Sequence, residues 1–504
     1  MTESTSFWKK LDDNAERWML LGFYGMIVAT IVVEVVRRFV LSYSSIWGEE
    51  IARYAFIYLA WVGASVAVKD RAHIRIDVIL HYLSNRGKAL VYLFGDICML
   101  ALAILALYTA IESLQVSIKF GSVTHGLRIS LAWFLAAVPL FILTGDVLVR
   151  TGLSNKLLDV ADATTGGFRA GLGTSTVLGC GFFACISGSD AAGAAAVGRM
   201  TIHKLVEKGY PRPYACALVA SGACTGILIP PSIAYIIMGL ILGISASTLF
   251  LAAAIPGVMI MFSIMITNMV MNRIYNFEGE KVGFDFGHWR RTIWDGRFAL
   301  LVPIIIVGGI YSGIFTPTEA AAVAVATTIT IGLIQRTLTL ADFPKMLLGS
   351  AKVNGVILPI IAMSLSLAQT LAALGVPQGF AYSVTSMTDN PYLIILLIIG
   401  ILIAAGCVME TTPNIVILSP ILLPLALETG MNEVQFCIMM VTALGVGFIT
   451  PPLGLNLFVI SGITGESVLR IASRVGSYVI GMLIVVLMIA YIPGLSMVFL
   501  PDIY

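Results

Sequence analysis

The stretch AGLGTSTVLGCGFFACISGSDAAGAAAVG, residues 170–198, decides how the rest of the chain is read. It holds 29 residues without a Lys or Arg, yet Arg169 bounds it on one side and Arg199, Lys204, Lys208 and Arg212 follow it on the other. In membrane proteins basic residues collect on the cytoplasmic side. Both ends of the stretch therefore belong on that side, and the number of crossings between them is even. One crossing takes roughly 20 residues at 1.5 Å each, so 29 residues cannot make two. A re-entrant helical hairpin meets both constraints, with its tip at the small, polar Ser187-Gly188-Ser189-Asp190. Irregular backbone at that depth is tolerated only where it lines a cavity within protein.

The membrane setting follows from composition. Of 504 residues, 58% are hydrophobic and 12% charged, with a mean hydropathy of +0.96. Soluble domains carry about 25% charged residues, so a soluble enzyme and a disordered chain are both excluded. A net charge of +2 leaves no excess to neutralise phosphates, which excludes a nucleic-acid partner. Seven Cys without a CxxC pair indicate neither a disulfide framework nor a zinc site. The class is an all-α polytopic membrane protein in a lipid bilayer. Residues 1–17 are polar and of mixed charge, and no small-residue cleavage site follows the apolar run at Met19, so the first apolar segment reads as a retained anchor. Crossings are expected near 19–36, 51–68, 89–112, 131–149, 213–243, 249–272, 298–314, 318–335, 353–375, 434–463 and 475–499. With the N-terminus cytoplasmic, every Lys and Arg falls on the cytoplasmic side except Arg37, Arg38, Arg53, Lys119 and Arg128.

Residues 391–427 mirror the first hairpin. No Lys or Arg occurs between Lys352 and Arg470, and the flanking charges Asp389, Glu428 and Glu433 are acidic, so this segment enters and leaves from the outside. Its middle breaks at Glu410-Thr411-Thr412-Pro413. Ser187 and Glu410 are 223 positions apart, Pro230-Pro231 and Pro451-Pro452 are 221 apart, and Thr151-Gly152-Leu153 and Leu374-Gly375-Val376 are again 223 apart. One offset with opposite sides implies two halves in inverted topology, about 139–272 and 298–499.

Each Pro-Pro pair deletes backbone donors and unwinds its helix within the membrane. In secondary transporters, unwound carbonyls and half-helix ends hold Na⁺ and anionic substrates; the alternative is a purely structural kink. Sodium requires hard oxygen ligands. The candidates, largely through backbone carbonyls, are Ser187, Gly188, Thr225 and Gly226 at the first tip and break, and Glu410, Thr412, Gly447 and Thr450 at the second, giving two or more Na⁺ sites. No Lys or Arg lies in the tips or breaks, so half-helix N-termini with bound Na⁺ must attract an anion. Ser189, Asp190, Ser232, Thr412 and Asn414 are the candidate substrate-binding residues. Asp190 and Glu410 are the ionisable groups at the tips, and an intramembrane carboxylate is functional by default. The compatible alternative is that each caps the second arm of its own hairpin. Glu34 and Asp96 read as packing residues.

These residues also carry a family resemblance. Ser45 to Arg53 (SIWGEEIAR) and Ala67 to Asp77 (AVKDRAHIRID) resemble the small membrane subunit of tripartite ATP-independent periplasmic (TRAP) transporters. Phe141 to Gly145 (FILTG), Ile186 to Ser189 (ISGS), Ile229 to Ser232 (IPPS), Phe315 to Ala320 (FTPTEA) and Thr450 to Leu457 (TPPLGLNL) resemble the large one. The resemblance implies a fused chain: a four-helix small-subunit module at 1–138, extending a static scaffold, and a transport subunit at 139–504. It further implies a Na⁺-driven, elevator-type importer in the bacterial inner membrane, taking an organic acid anion, carboxylate or sulfonate, from a periplasmic substrate-binding protein. Trp47, Glu49, Glu50 and Arg53 are then placed at the scaffold's periplasmic edge, where an interfacial aromatic with surface charges is the plainer account.

Three departures from the family pattern stand out. Ser130 to Trp133 runs directly into Pro139 to Leu143, which resembles a point well inside the large subunit, so either the chain is a naturally compact form or about 100 residues that lie between the subunits are omitted near position 139. The second half has two helices, 298–314 and 318–335, and a short amphipathic arm, 337–349, that the first half lacks. The family's Ser-Gly-Ser-x-x-x-Asp pattern has Gly193 at the Asp position, and Asp190, on the same helical face, supplies a charge one turn earlier. Glu410 stands where Asp is frequent. An intramembrane serine hydrolase is disfavoured because no His lies within a crossing to act as base, and a channel because of the paired hairpins. A stand-alone Na⁺-coupled anion carrier that needs no binding protein is the alternative function, although it has no need of residues 1–138.

Overall fold

The structure is a computed structural model and describes residues 7–40, 46–69, 87–94, 97, 132–167, 170–278, 283–388 and 390–500. Residues 1–70 and 131–504 form one compact unit and residues 71–130 a second. In the second unit residues 87–94 are helical. The rest of the third and fourth small-subunit helices, and the AVKDRAHIRID segment from Asp70 onward, lie outside the described residues.

In the first unit α1 (Phe7–Val40) and α2 (Ile46–Lys69) pair with each other, followed by α3 (Ala132–Arg150) and α4 (Leu153–Thr165). The first helix–turn–helix is α5 (Gly171–Ser187) and α6 (Asp190–Glu207). The first broken helix is α7 (Arg212–Ala223), α8 (Thr225–Leu228) and α9 (Ile233–Leu242), bent by 41° at the break. Next come α10 (Ala246–Tyr275), α11 (Phe286–Asp295), α12 (Arg297–Tyr311), α13 (Pro317–Ile334), α14 (Phe343–Ala373) and α15 (Val376–Thr385). The second helix–turn–helix is α16 (Pro391–Gly406) and α17 (Thr411–Glu428), and the second broken helix is α18 (Glu433–Gly447) and α19 (Leu455–Thr464). α20 (Val468–Ala472), α21 (Gly476–Tyr491) and α22 (Gly494–Met497) close the unit.

Among the described residues four helices are long and apolar enough to cross a membrane: Ala15–Arg38, α10, α13 and α17. The two bent pairs, α7/α8 with α9 and α11 with α12, bring the number to six. Several expected crossings are divided. Residues 434–463 fall into α18 and α19 and 475–499 into α21 and α22, and of the expected amphipathic arm at 337–349 only 343–349 are α-helical, as the start of the 31-residue α14. Two short helices follow glycines 223 positions apart. Gly152 (φ 74°) and Gly375 (φ 69°) sit in the left-handed region, which a side chain at Cβ disfavours, and open α4 and α15.

Local chemistry fixes the helix ends. Thr316 and Glu319 form a reciprocal capping box at the start of α13, with Pro317 in the first turn. Glu319 is buried and also pairs with Arg38 of α1, which gives one of the out-of-place arginines a partner. At the base of the first hairpin, the Glu278 carboxylate accepts from the backbone N–H of Leu172 (3.4 Å) and Gly173 (3.1 Å) and from the Tyr210 hydroxyl (2.6 Å). The otherwise unpaired first N–H groups of α5 are thereby satisfied.

Candidate substrate and cation site

Each helix–turn–helix presents its turn to a broken helix through backbone rather than side chains. Gly188 closes α5 at φ 61°, and its carbonyl accepts from the Ile233 N–H (3.2 Å), the first residue of α9 and two beyond Pro231. Cys407 closes α16, and its carbonyl accepts from the Gly454 N–H (3.2 Å), just after Pro451-Pro452. The two donors are 221 positions apart, the offset of the proline pairs. Both Pro-Pro peptide bonds are cis.

Glycines allow the approach. A Cβ on Gly226 would fall 2.7 Å from the Asp190 nitrogen and from the Ser189 carbonyl carbon and oxygen. A Cβ on Gly447 would fall 2.7 Å from the Gly406 Cα and the Ile403 carbonyl. The two broken helices also meet each other: the Cys224 thiol donates to the Gly445 carbonyl (3.2 Å), and the Asn456 amide donates to the Ala220 carbonyl and to Cys224 Sγ (both 3.4 Å). Cys224 and Gly445 are again 221 apart.

The structure places the sequence candidates as follows. Ser189 is the N-cap of α6, its hydroxyl accepting from the Ala192 N–H (3.4 Å). Asp190 opens α6 and is buried; its Oδ1 accepts from the Ala191 N–H (2.9 Å) and its Oδ2 has no partner. Glu410 occupies the N-cap position of α17 but makes no side-chain capping bond there. Asp190 lies close enough to Glu410 and Cys224 to act on both electrostatically. The Ser187 hydroxyl donates to the Phe183 carbonyl (3.1 Å), Thr225 to Gly222 (2.7 Å) and Thr450 to Val446 (2.7 Å). Thr412 is buried in the first turn of α17. Two expected donors are spent inside the protein. The Ser232 hydroxyl donates to the Ile227 carbonyl (2.7 Å), and the Asn414 amide donates to the carbonyls of Ala405 (3.3 Å) and Met409 (3.0 Å). What Asn414 leaves over is its buried acceptor, Oδ1.

Three buried oxygens in this region therefore lack donors: Asp190 Oδ2, Asn414 Oδ1 and Asn456 Oδ1. A buried polar atom without a partner is costly. Sequence reasoning missed Asn456, Cys224 and Gly406. Asn456 stands within the TPPLGLNL segment, and the 221-residue offset links Cys224 to Gly445, so both had a signal. The two breaks differ in exposure: Pro230 and Pro231 are buried, whereas Pro451 and Pro452 are exposed. Trp47, Glu49, Glu50 and Arg53 fall on α2, but their side chains lie outside the described residues.

Helix–turn–helix tips meeting broken helices within an almost wholly helical, apolar chain define a multi-helix membrane protein of the transporter class. The chain belongs to the tripartite ATP-independent periplasmic transporters: the model of their DctM component matches residues 89–495 and that of their DctQ component residues 27–149. Both components are thus present in one polypeptide. The isethionate TRAP transporter permease protein DctMQ of Oleidesulfovibrio alaskensis is 27% identical over 602 residues, covering 97% of this chain and 95% of its own. That span exceeds the 504 residues here, so the relative carries segments without a counterpart in this chain. The C4-dicarboxylate TRAP transporter large permease protein DctM of Pseudomonas aeruginosa is 35% identical, and the 2,3-diketo-L-gulonate TRAP transporter large permease protein YiaN of Escherichia coli 33%; each match covers 72% of this chain and 85% of the relative.

Proposed function

We propose that this chain is a secondary active, Na⁺-coupled importer of a small organic acid anion, carboxylate or sulfonate, delivered by a periplasmic substrate-binding protein. The observation that carries the reading is the repeated junction of tip and break, Gly188 with Ile233 and Cys407 with Gly454, beside three buried oxygens without donors. Asp190 Oδ2, Asn414 Oδ1 and Asn456 Oδ1, with carbonyls freed at the two breaks, would hold Na⁺. The N–H groups opening α6 and α17 would face the anion, with Ser189 and Thr412 nearest to hand. The relatives' names support the substrate class: isethionate is a sulfonate, and C4-dicarboxylates and diketogulonate are carboxylates.

In this reading the two halves, about 139–272 and 298–499, are inverted repeats. The helix–turn–helix pairs and broken helices move together as an elevator against a scaffold that includes α3, α13 and α14. The protein sits in the bacterial inner membrane with its N-terminus cytoplasmic. The test is uptake into proteoliposomes under an inward Na⁺ gradient, with and without the cognate periplasmic protein. The probes are isethionate, a C4-dicarboxylate and 2,3-diketo-L-gulonate. Uptake of one probe that needs both Na⁺ and the periplasmic protein is expected. Uptake indifferent to the added protein favours a stand-alone carrier, and uptake indifferent to Na⁺ overturns the coupling.

A further inference from the structure

None of the ten residues of α11 is buried. One side of the helix lies on α4: the Trp289 indole N–H donates to the Thr164 hydroxyl (3.3 Å), and a Cβ on Gly296 would fall 2.8 Å from the Val160 side chain. A second side carries Phe286, Arg290 and Trp294 at four-residue spacing, which sets them one above another on a helix. All three are exposed, Phe286 by 62% and Trp294 by 67%, and Phe284 and Phe298 continue the exposed aromatic surface at either end. His288, Arg291 and Asp295 form a third, polar side, also exposed. Arg297 closes the aromatic stripe. Its guanidinium carbon lies 4.7 Å from the centre of the Trp294 ring and 4.6 Å from that of Phe298, and it donates to the Trp294 carbonyl (2.7 Å).

The bend after Gly296 sets the direction of this helix. α12 is strongly apolar and turns away from α11 by 72°. Crossing helices tilt by about 20° on average from the bilayer normal, so α11 runs closer to the bilayer surface than to its normal. We propose that α11 is an interfacial helix whose Phe286–Arg290–Trp294 side binds anionic phospholipid, with the rings at headgroup depth and Arg290 and Arg297 on the headgroup phosphates. An exposed aromatic surface of this kind marks a binding face. An arginine in its middle is costly against an apolar protein partner, whereas a lipid surface takes up both the rings and the charge. The guanidinium fork matches phosphate and stacks on aromatic rings. The cytoplasmic N-terminus of the proposed function, on which the choice of leaflet rests, puts α11 on the cytoplasmic leaflet. Anionic lipid there favours each nearby Arg by about fivefold in affinity. Because α4 leads from α3 into the first hairpin, lipid that holds α11 also steadies the approach to that hairpin.

The full chain, with its native cysteines replaced, is placed in nanodiscs of phosphatidylglycerol and phosphatidylcholine. A fluorophore on Phe286→Cys, quenched by brominated forms of either lipid, should report a preference for phosphatidylglycerol of at least about fivefold. Arg290→Gln/Arg297→Gln should bring it below about twofold, while Lys204→Gln/Lys208→Gln, an exposed basic pair at the end of α6, should leave it unchanged. No preference in the native sequence, no loss in the arginine variant, or equal loss in both variants overturns the inference. Spin labels at Trp294→Cys and Asp295→Cys read depth. The first should meet oxygen more than a water-soluble nickel chelate, and the second the reverse. A label at 294 that meets the chelate as readily as one at 295, or that is shielded from both reagents as beneath a protein partner, also overturns it. If the cysteine-free chain does not assemble, the unlabelled chain decides: phosphatidylglycerol in place of phosphatidylcholine should raise its unfolding temperature, and an equal rise in Arg290→Gln/Arg297→Gln overturns the inference. These measurements involve neither Na⁺ nor substrate, and nanodiscs carry the same lipids in both leaflets. Failure of the proposed transport function or orientation would therefore leave the lipid result standing, and the reverse.

Discussion

Adding one methyl group at Gly226 tests the proposed cation site most directly. In Gly226→Ala the new Cβ would stand 2.7 Å from three backbone atoms at the tip of the first hairpin, the Asp190 nitrogen and the Ser189 carbonyl carbon and oxygen. Ordinary contact begins at 3.4 Å, so tip and break must separate by about 0.7 Å, and backbone has no rotamer through which to give way. A binding constellation must be held to within about 0.5 Å, so Asp190 Oδ2 leaves its place. Overpacking of this kind costs about 1–3 kcal/mol, equivalent to roughly 5- to 150-fold in affinity if it falls on the bound state. The assay is the unfolding temperature of the purified full chain as NaCl replaces KCl at constant ionic strength, which yields an apparent Na⁺ constant by linkage. Gly226→Ala should weaken Na⁺ binding at least about fivefold, and so should Gly447→Ala, whose Cβ meets Gly406 and Ile403 at 2.7 Å. Matched controls sit close by. A Cβ on Gly193 meets only Phe183 at 3.9 Å, and one on Gly445 meets Ile227 and Leu228 at 3.7 Å, so Gly193→Ala and Gly445→Ala should stay within about twofold. Equal Na⁺ affinity in all four variants would refute the idea that the tip–break contacts build the site.

Asn456→Leu removes a buried, unpaired Oδ1 together with the amide bonds to Ala220 and Cys224; it should lower the unfolding temperature measured in KCl, a loss of about 1–3 kcal/mol, and also abolish the Na⁺-dependent rise above that lowered value. Arg38→Ala strands the buried Glu319 carboxylate; the loss should fall below the about 3–5 kcal/mol of a fully buried pair, because the Arg38 side chain is 55% exposed. The double variant with Glu319→Gln should recover part of it in a double-mutant cycle on unfolding. Glu278→Ala removes the acceptor for the Leu172 and Gly173 N–H groups and for Tyr210. Amide exchange at 172 and 173 should then rise at least about tenfold, as local opening there becomes about 1.4 kcal/mol easier or more.

How much of this was legible depended on whether the signal was local. Charge and length together located the first helix–turn–helix, because Arg169 and Arg199 flank a run too long for one crossing and too short for two. Proline located the breaks at 230–231 and 451–452, since its effect on a helix is confined to its own turn. The short helices α4, α11 and α15 went unread because none has an apolar run of crossing length; their only local marks are the left-handed Gly152 and Gly375 and the Asp285 cap of α11. The site itself was half legible. Asp190 stood out as a carboxylate in an apolar stretch, but which polar atoms remain free is a tertiary property. Ser232 and Asn414 look alike in sequence to donors awaiting a ligand, and only the fold directs their protons to Ile227, Ala405 and Met409.

The distribution of charge bears on coupling. The two tips carry Asp190 and Glu410, the turns and breaks carry no Lys or Arg, and the side-chain atoms left unpaired there are acceptors. Such a region repels an anion as long as both carboxylates are ionised and uncompensated, because like charges in a low-dielectric interior interact strongly. The N–H groups opening α6 and α17 contribute only about half a positive charge each, less than the two carboxylates subtract. Under the proposed reading, cations must therefore be in place before the organic acid can settle between the tips. The same imbalance disfavours leaving the anion behind once the cations depart. Coupling of the two fluxes would then need no separate gate: it would follow from placing acid side chains, rather than basic ones, where an acid is to be carried.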